Sequence, residues 1–566
     1  MFATDIPLSA FENEHWENFF KALRPAFKVP STYCFSTPLL NAEHERIKTK
    51  CEEKIEEATS VCILTDGWSN IRGENVVNFV VTTPEPVFIE AVEPGEDRET
   101  GKWIFDAIEK VIKKFDSKKV MGVCTDNASS MKLAHNLISA KYPHISCYGC
   151  AAHGLNLLVK DILGKVGKFS SILKNSKTIV KDIKNHHVPH AIFKKKQKIK
   201  FGSGKGKSLK LPGKTRWSGT TDMLKSLLEN KSVLQETVID QRVSVSKKAK
   251  TTVLDDDFWD AVKCGCDLLS PITDTITYLE GDSANVADVV TALAKMKTQI
   301  LNAAEDFNMH DMVRVEELVK KRCVFIVKPV HLAANLLHPI YRGKVLTPNQ
   351  IQLAITFISE MCTHLNYDCG LVISNLARFR NSEGIWAVKE TNTGSFHSIW
   401  SAANHCTPSS WWKGICADEP LCPLACRILS LPASAAACER VWSGYSNTHT
   451  KKRNKLAVER VTKLVQIKSN LKLFSSVSSG DKPKMNCCTI EDGLIFDVDI
   501  NDRAIEEDND AGPEGNGAIE DNDAGSEGNQ SDSENESAAS SYNSDSDSVQ
   551  SASESECSTL SESDDD

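Results

Sequence analysis

The sequence predicts an α/β protein: a core built in two pieces, interrupted by a mostly helical insertion and followed by a disordered acidic tail. Three observations point there. Two short Val/Ile-rich runs, "VCIL" at 61–64 and "KVMGVC" at 119–124, each lead to an aspartate, Asp66 and Asp126. Strand-like and helix-like patterns alternate over residues 56–166, whereas 218–430 reads as long helices. From residue 501 onward 21 Asp and Glu stand against one Arg, which leaves the first 500 residues with a formal charge of +11.

Residues 1–55 read as a helical N-terminal segment. After Asp66, "NVVNFVVTT" and "VFIEAV" flank Pro84, Glu85 and Pro86, the pattern of a strand pair around a turn. "GKWIFDAIEKVIKKFD" sets Ile104, Ile108, Val111, Ile112 and Phe115 at helical spacing. There follow the strand ending at Asp126, the helix "MKLAHNLISAKY", a short strand at "HISCYG" and the helix "AAHGLNLLVKDIL", so the order over 56–166 is βββαβαβα. Residues 167–217 are a basic connecting segment. Its second half is read as a flexible stretch with ten cations: Lys194, Lys195, Lys196, Lys198, Lys200, Lys205, Lys207, Lys210, Lys214 and Arg216. Residues 218–430 form the helical insertion. Residues 431–475 open with "LPASAAACERVWS" and continue as a basic amphipathic helix, on which Val458, Val461, Leu464, Val465 and Leu471 recur at helical intervals. Such a stripe buries against something, and self-association is the expectation. Residues 476–566 are a linker and a Ser/Asp/Glu-rich tail that cannot bury enough apolar surface to fold.

Composition narrows the function classes. The 566 residues are 41% hydrophobic and 25% charged, ordinary for a soluble globular protein. No run of 18 apolar residues predicts a membrane span, and "MFATDIPLSAFENEHWENFF" lacks the plan of a secretory signal. Nineteen cysteines without a spaced framework favour reduced thiols in cytosol or nucleus. A mildly basic body suits a polyanionic partner. "GSGKGKS" at 202–208 fails the spacing of a phosphate-binding loop, since Phe201 stands where the first glycine belongs.

An ionised carboxylate next to a buried strand is costly unless it is paired, hydrogen-bonded or coordinated. Three strands, a helix and a fourth strand is how the ribonuclease H-like fold begins, with acidic residues on the first and at the end of the fourth strand. Asp66 and Asp126 hold those places, and Glu439 in "AAACERVW" is the candidate third carboxylate. Hard divalent cations, Mg2+ or Mn2+, prefer such oxygen ligands, and a pair of them can clamp the attacking and leaving oxygens of a phosphodiester displacement. His144, Cys147, Cys150 and His153 fall at steps of three, but these intervals are shorter than those of a zinc finger's second half.

Several separated stretches make the likeness specific: "LTDGWSNIRGENVVNF", "CTDNASSM", "CAAHGLNLLVKD", "KTRWSGTTDML" and "WWKGICADEPLCPLACRILSLPASAAACERVWS". In this order they resemble the hAT family of transposases over roughly residues 1–475. The resemblance implies the catalytic and metal-binding triad Asp66, Asp126 and Glu439, with a bracing or DNA-contacting role for Cys150 and His153. It further implies base stacking by Trp217, DNA as partner, a homodimer or higher homo-oligomer through the C-terminal region, and work in the nucleus. Cys438 and Trp442 stand where the family usually has Ser and Phe. The family's N-terminal BED-type zinc finger is not expected in this sequence. Two functional classes fit: a transposase that cleaves and transfers DNA strands, and a domesticated, catalytically idle descendant that binds DNA or chromatin as a regulator.

Overall fold

Five strands hydrogen-bond side by side at the centre of the fold: β1 (Val61–Ser69), β2 (Asn75–Thr82), β3 (Pro86–Val92), β4 (Val120–Thr125) and β5 (Ser146–Gly149). Their order is β3-β2-β1-β4-β5, antiparallel on the β1–β2–β3 side and parallel for β1–β4 and β4–β5. The computed structural model describes residues 2–500 except 5, 70–72, 96–98, 214–217, 304–308, 388–397, 451–455 and 475–492. Lys214, Arg216, Trp217 and the acidic tail from residue 501 therefore lie outside the described residues.

Helices in chain order are α1 (Glu14–Leu23), α2 (Pro38–Glu57), α3 (Gly101–Ile112), α4 (Ser129–Lys141), α5 (Ala151–Lys165), α6 (Gly167–Lys184), α7 (His187–Phe201), α8 (Lys247–Val253), α9 (Asp256–Leu279), α10 (Val286–Ala303), α11 (Met309–Ile326), α12 (Pro329–Leu337), α13 (Pro348–Leu365), α14 (Ala436–Thr448) and α15 (Val458–Phe474), with further helices between them. The fold is thus mixed α/β with a predominance of helix, and the order βββαβαβα over β1–α5 matches the sequence reading.

Alternation along the strands sorts the two cores. Cys62, Leu64, Val76, Val80 and Phe88 point into the larger core, shared with α5, α6, α9, α10 and α14. Val61, Ile63, Val77, Phe79, Val81 and Val87 point into the smaller one, covered by α2, α3 and α4. The helical spacing read at Ile104, Ile108, Val111 and Ile112 is that second contact: all four are buried. At the free edge of the sheet, α15 lies along β3. Asn470 accepts from Phe88 N at 2.9 Å and donates to Phe88 O at 2.8 Å, while Gln466 donates to Ile89 O at 2.7 Å. Side-chain amides here satisfy the backbone groups that an edge strand otherwise leaves open.

This packing revises the reading of 458–471 as a dimerisation stripe at two of its five positions. Val461 and Val465 are fully buried in the chain's own core, and Leu464 and Leu471 pack against the smaller core; Val458 is half-buried. Each fully buried apolar side chain contributes about 1.5–3 kcal/mol, so Val461 and Val465 are spent inside the protomer, whereas Val458, Leu464 and Leu471 keep part of their surface open.

Two further corrections concern the connecting regions. The first part of the supposed flexible stretch, 194–201, belongs to a helix, His187–Phe201, because Pro189, Ile192, Phe193 and Gln197 fall on one buried face. Gln197 then donates to Lys207 O at 2.7 Å and Asn230 Oδ1 at 2.8 Å, pinning the following loop. Of the ten cations, Lys196 and Lys210 pair with Asp240 (3.6 Å) and Asp222 (3.0 Å), Lys207 pairs with Glu229, and Lys200 bonds Ser232. Beyond α15, the linker reading fails at 493–500. Leu494, Phe496 and Val498 alternate into the larger core, and Gln350 on α13 donates to Phe496 O and Val498 O at 2.8 and 2.7 Å. "LIFDVDI" carries that period-two signal in the sequence.

The α3–α4 contact carries a titratable lock. Glu109 is held by Lys141 and by Lys113 (2.9 Å), with Tyr142 donating at 3.1 Å. Bonds to Lys141 and Lys113 lower its carboxyl to about 2 from an ordinary 4.5. A depressed carboxylate contributes stability that is full above the unfolded value and lost as pH falls through the folded one. Glu109→Gln is expected to flatten the stability–pH curve between about 4.5 and 2 while leaving the slope near neutrality unchanged, read by urea unfolding across that range.

Candidate active site

Asp66 and Asp126 come together through the parallel pairing of β1 and β4. Leu64 pairs with Cys124; Asp66 lies two residues further along β1, and Asp126 follows the last residue of β4. Neighbouring strands run about 4.8 Å apart, so the backbones of the two aspartates lie on adjacent paths. Asp66 has the same parity as Cys62 and Leu64, which places it on the face of the larger core. Both aspartates are half-buried. Asp126 Oδ1 accepts from Ala128 N at 3.0 Å, an Asx turn that fixes the carboxylate at the strand's exit.

Helix α14, which carries Glu439, packs against β1 and β2. The chain reaches it through residues 430–435, which are tied on every side. Tyr148 on β5 donates to Pro432 O at 2.9 Å, Ala151 N to Ala433 O at 3.3 Å, and Ser434 to Leu279 O at 2.9 Å. Gly122 on β4 makes room here, since a Cβ there would stand 2.7 Å from Leu431 Cδ2. Glu439 falls in the first turn of α14, and Trp442, one turn later, donates its indole N–H to Asp66 Oδ2 at 3.0 Å. The indole stacks on Trp68 of β1 with ring centroids 5.3 Å apart.

Sequence reading missed two residues beside this arrangement, of which the first helps to hold it. Asn78, fully buried in β2, pairs with Asp66 across the antiparallel ladder and donates to Cys438 O at 3.1 Å, tying the start of α14 to the sheet beside Asp66. A lone polar residue inside "NVVNFVVTT" was the available signal. Glu99 is half-buried, and burial, with a smaller push from the Asp126 charge, raises its carboxyl; it is a fourth acidic group beside the site. No sequence pattern marks it.

Cys150, expected to brace the site or touch DNA, is 3% exposed. Its Sγ accepts from His153 N at 3.4 Å and Ala435 N at 3.3 Å, joining α5 to the approach of α14. That place is inside the protein, where DNA does not reach. His153 itself is half-buried. The His144–Cys147–Cys150–His153 set does not converge: Cys147 packs into the smaller core and Cys150 into the larger, on opposite faces of the sheet, while His144 bonds Ser117 O at 2.8 Å. Burial raises the thiols at the site, Cys62 to about 12 and Cys150 to about 11, so they stay neutral near pH 7 and supply neither thiolate ligand nor nucleophile.

Three family models match parts of the chain: a domain of unknown function (DUF659) over residues 30–179, the ZBED1 RNase-like helical domain over 148–268, and the hAT family C-terminal dimerisation region over 390–471. The AC transposase of Zea mays is 25% identical over 248 residues, which are 41% of this chain and 30% of that protein. These matches support a hAT-family transposase or a transposase-derived protein. A second Zea mays relative of this chain, the AC9 transposase, has the same 25% identity, over 29% of its length. The human Zinc finger BED domain-containing protein 4 is 19% identical over 84% of the chain and 43% of its own length. The chain thus spans less than half of each of these relatives.

The hAT dimerisation match supports pairing of two copies, with Val461 and Val465 already buried inside each. The loop after Asp126 offers a direct test of site packing. A Cβ on Gly149 would stand 1.8 Å from Asn127 Oδ1, whose amide nitrogen bonds Cys150 O at 3.2 Å. Gly149→Ala is expected to cost about 1–3 kcal/mol, the range of overpacking. Adding Asn127→Gly should recover part of that cost, a coupling visible in a double-mutant cycle of urea midpoints.

Proposed function

We propose that this hAT protein is a transposase, or a DNA-binding descendant of one, with a ribonuclease H-like core in which Asp66, Asp126 and Glu439 act on DNA phosphodiesters in the nucleus. The observation that carries it is the adjacency of Asp66 and Asp126 at the ends of parallel neighbours, with α14 closing over Asp66. The strand order β3-β2-β1-β4-β5 supports the same core.

The donor set suits Mg2+ or Mn2+: three carboxylates, with the nearby thiols held neutral by burial. Asp66, Asp126 and Glu439 would hold such ions, which when bound polarise a phosphodiester and acidify the attacking water. The chain's own part is positional. Trp442 orients Asp66, the Ala128 amide orients Asp126, and Asn78 seats the helix that carries Glu439.

One observation favours the second reading, a catalytically idle DNA- or chromatin-binding regulator. Among the described residues no three His, Cys, Asp or Glu groups are arranged to hold a metal ion. Incubating the protein with pre-nicked or branched DNA and Mn2+ separates the two. Chelator-sensitive cleavage supports the transposase, binding without cleavage supports the regulator, and absence of both overturns the proposal.

A further inference from the structure

Three helices turn rows of lysines outward from one packed layer, outside the loop to which the sequence pointed. Helix α6 buries Ile172, Ser176, Ile179, Val180 and Ile183 and exposes Lys174, Lys177 and Lys181, spaced i, i+3, i+7 on its opposite face. Helix α7 buries Ile192, Phe193 and Gln197 and exposes Lys194, Lys195 and Lys198. Helix α8 buries Ala249 and Val253 and exposes Lys247, Lys248 and Lys250. Both α7 and α8 pack against α6, so residues up to 76 positions apart in the chain are brought to one layer.

These nine lysines differ from their neighbours in having no ion-pair partner among the described residues. Around them four acidic groups are already engaged: Asp240 by Arg242 and Lys196, Glu229 by Lys207, Asp222 by Lys210, and Asp182 by the Ser246 amide and hydroxyl. Like charges in rows raise the local potential and attract a polyanion. Lys174 and Lys181 lie about 10 Å apart along the α6 axis, the span of about three phosphates on one strand at 3.4 Å rise. A linear array of point charges without aromatic side chains among them suits a phosphate backbone more than base edges.

We propose that the outer faces of α6, α7 and α8 form one surface that binds the backbone of duplex DNA without regard to sequence. This deepens the DNA-binding reading and rests on it. Lysines that neutralise phosphates release counterions, so each contact adds about 0.9 to the slope of log affinity against log salt. The full chain is titrated with random duplex DNA from about 50 to 200 mM salt. Three triple Lys→Gln variants, one per helix, are compared with wild type and with a control carrying Lys28→Gln, Lys110→Gln and Lys118→Gln on exposed positions elsewhere. Circular dichroism confirms that each variant is folded. Each helix triple should lower the slope by about 1–3 and weaken binding at least about tenfold at low salt, while the control keeps the wild-type slope. Wild-type slopes in all three helix triples, with DNA binding intact, would overturn this surface and leave the DNA-binding reading standing. Absence of binding by wild type at about 50 mM salt would overturn both.

Discussion

Asp66→Ala, Asp126→Ala and Glu439→Ala should each leave the protein folded and bound to DNA while strand cleavage falls by more than about a hundredfold. Losing an outer partner of a metal ligand already costs about 10–100-fold, and removing the ligand itself exceeds that. DNA affinity, by contrast, comes mostly from phosphate contacts by lysine and arginine, which these changes leave in place. The half-burial of Asp66 and Asp126 makes the alanines tolerable in the fold. A Glu439→Ala variant that cleaves pre-nicked DNA at the wild-type rate would remove α14 from the catalytic reading. Trp442→Phe is the informative companion: it keeps a ring against Trp68 and removes the N–H that reaches Asp66.

The largest expected loss of stability lies elsewhere, at the joint between α5 and α11. Arg322 Nε donates to Asp161 Oδ2 at 2.6 Å, and the two residues are 8% and 5% exposed. Lys165 reaches the other carboxylate oxygen at 3.0 Å. Arg322→Ala leaves a buried carboxylate with one partner, a change expected to cost about 3–5 kcal/mol. Replacing both with apolar residues, Arg322→Met with Asp161→Leu, should recover most of it, because no uncompensated charge remains. The sign with pH follows from the same groups. Burial pushes the Asp161 carboxyl up, but its bonds to Arg322 and Lys165 outweigh that and hold it below the ordinary value. Its contribution is therefore present above the unfolded carboxylate pKa and lost as pH falls through the lowered folded one. Without Arg322 burial dominates, so the acid-unfolding midpoint of Arg322→Ala should move to higher pH. Equal midpoints in wild type and variant would show that this pair does not secure the helical body to the core.

What the sequence by itself determined is local. Period-two runs at 61–64 and 119–124, the 3.6-residue spacing from Ile104 to Ile112 and the tight turn after "NVVNFVVTT" are set by which side chains must leave water within a few residues. They were enough for the order of strands and helices and for both aspartates. The same local logic misled where a helix had two possible partners. The stripe from Val458 to Leu471 announces burial without saying against what, and only the folded chain shows α2, α14 and β3 taking that face. Likewise the lysine-rich 194–200 reads as a loop until Ile192, Phe193 and Gln197 find their core. The contacts that make the site are long-range: Trp442 to Asp66 spans 376 residues and Asn78 to Cys438 spans 360. No local periodicity encodes such pairs. They follow from closing a large loop, whose entropic cost is repaid by burial spread over the whole core rather than by any residue at the site.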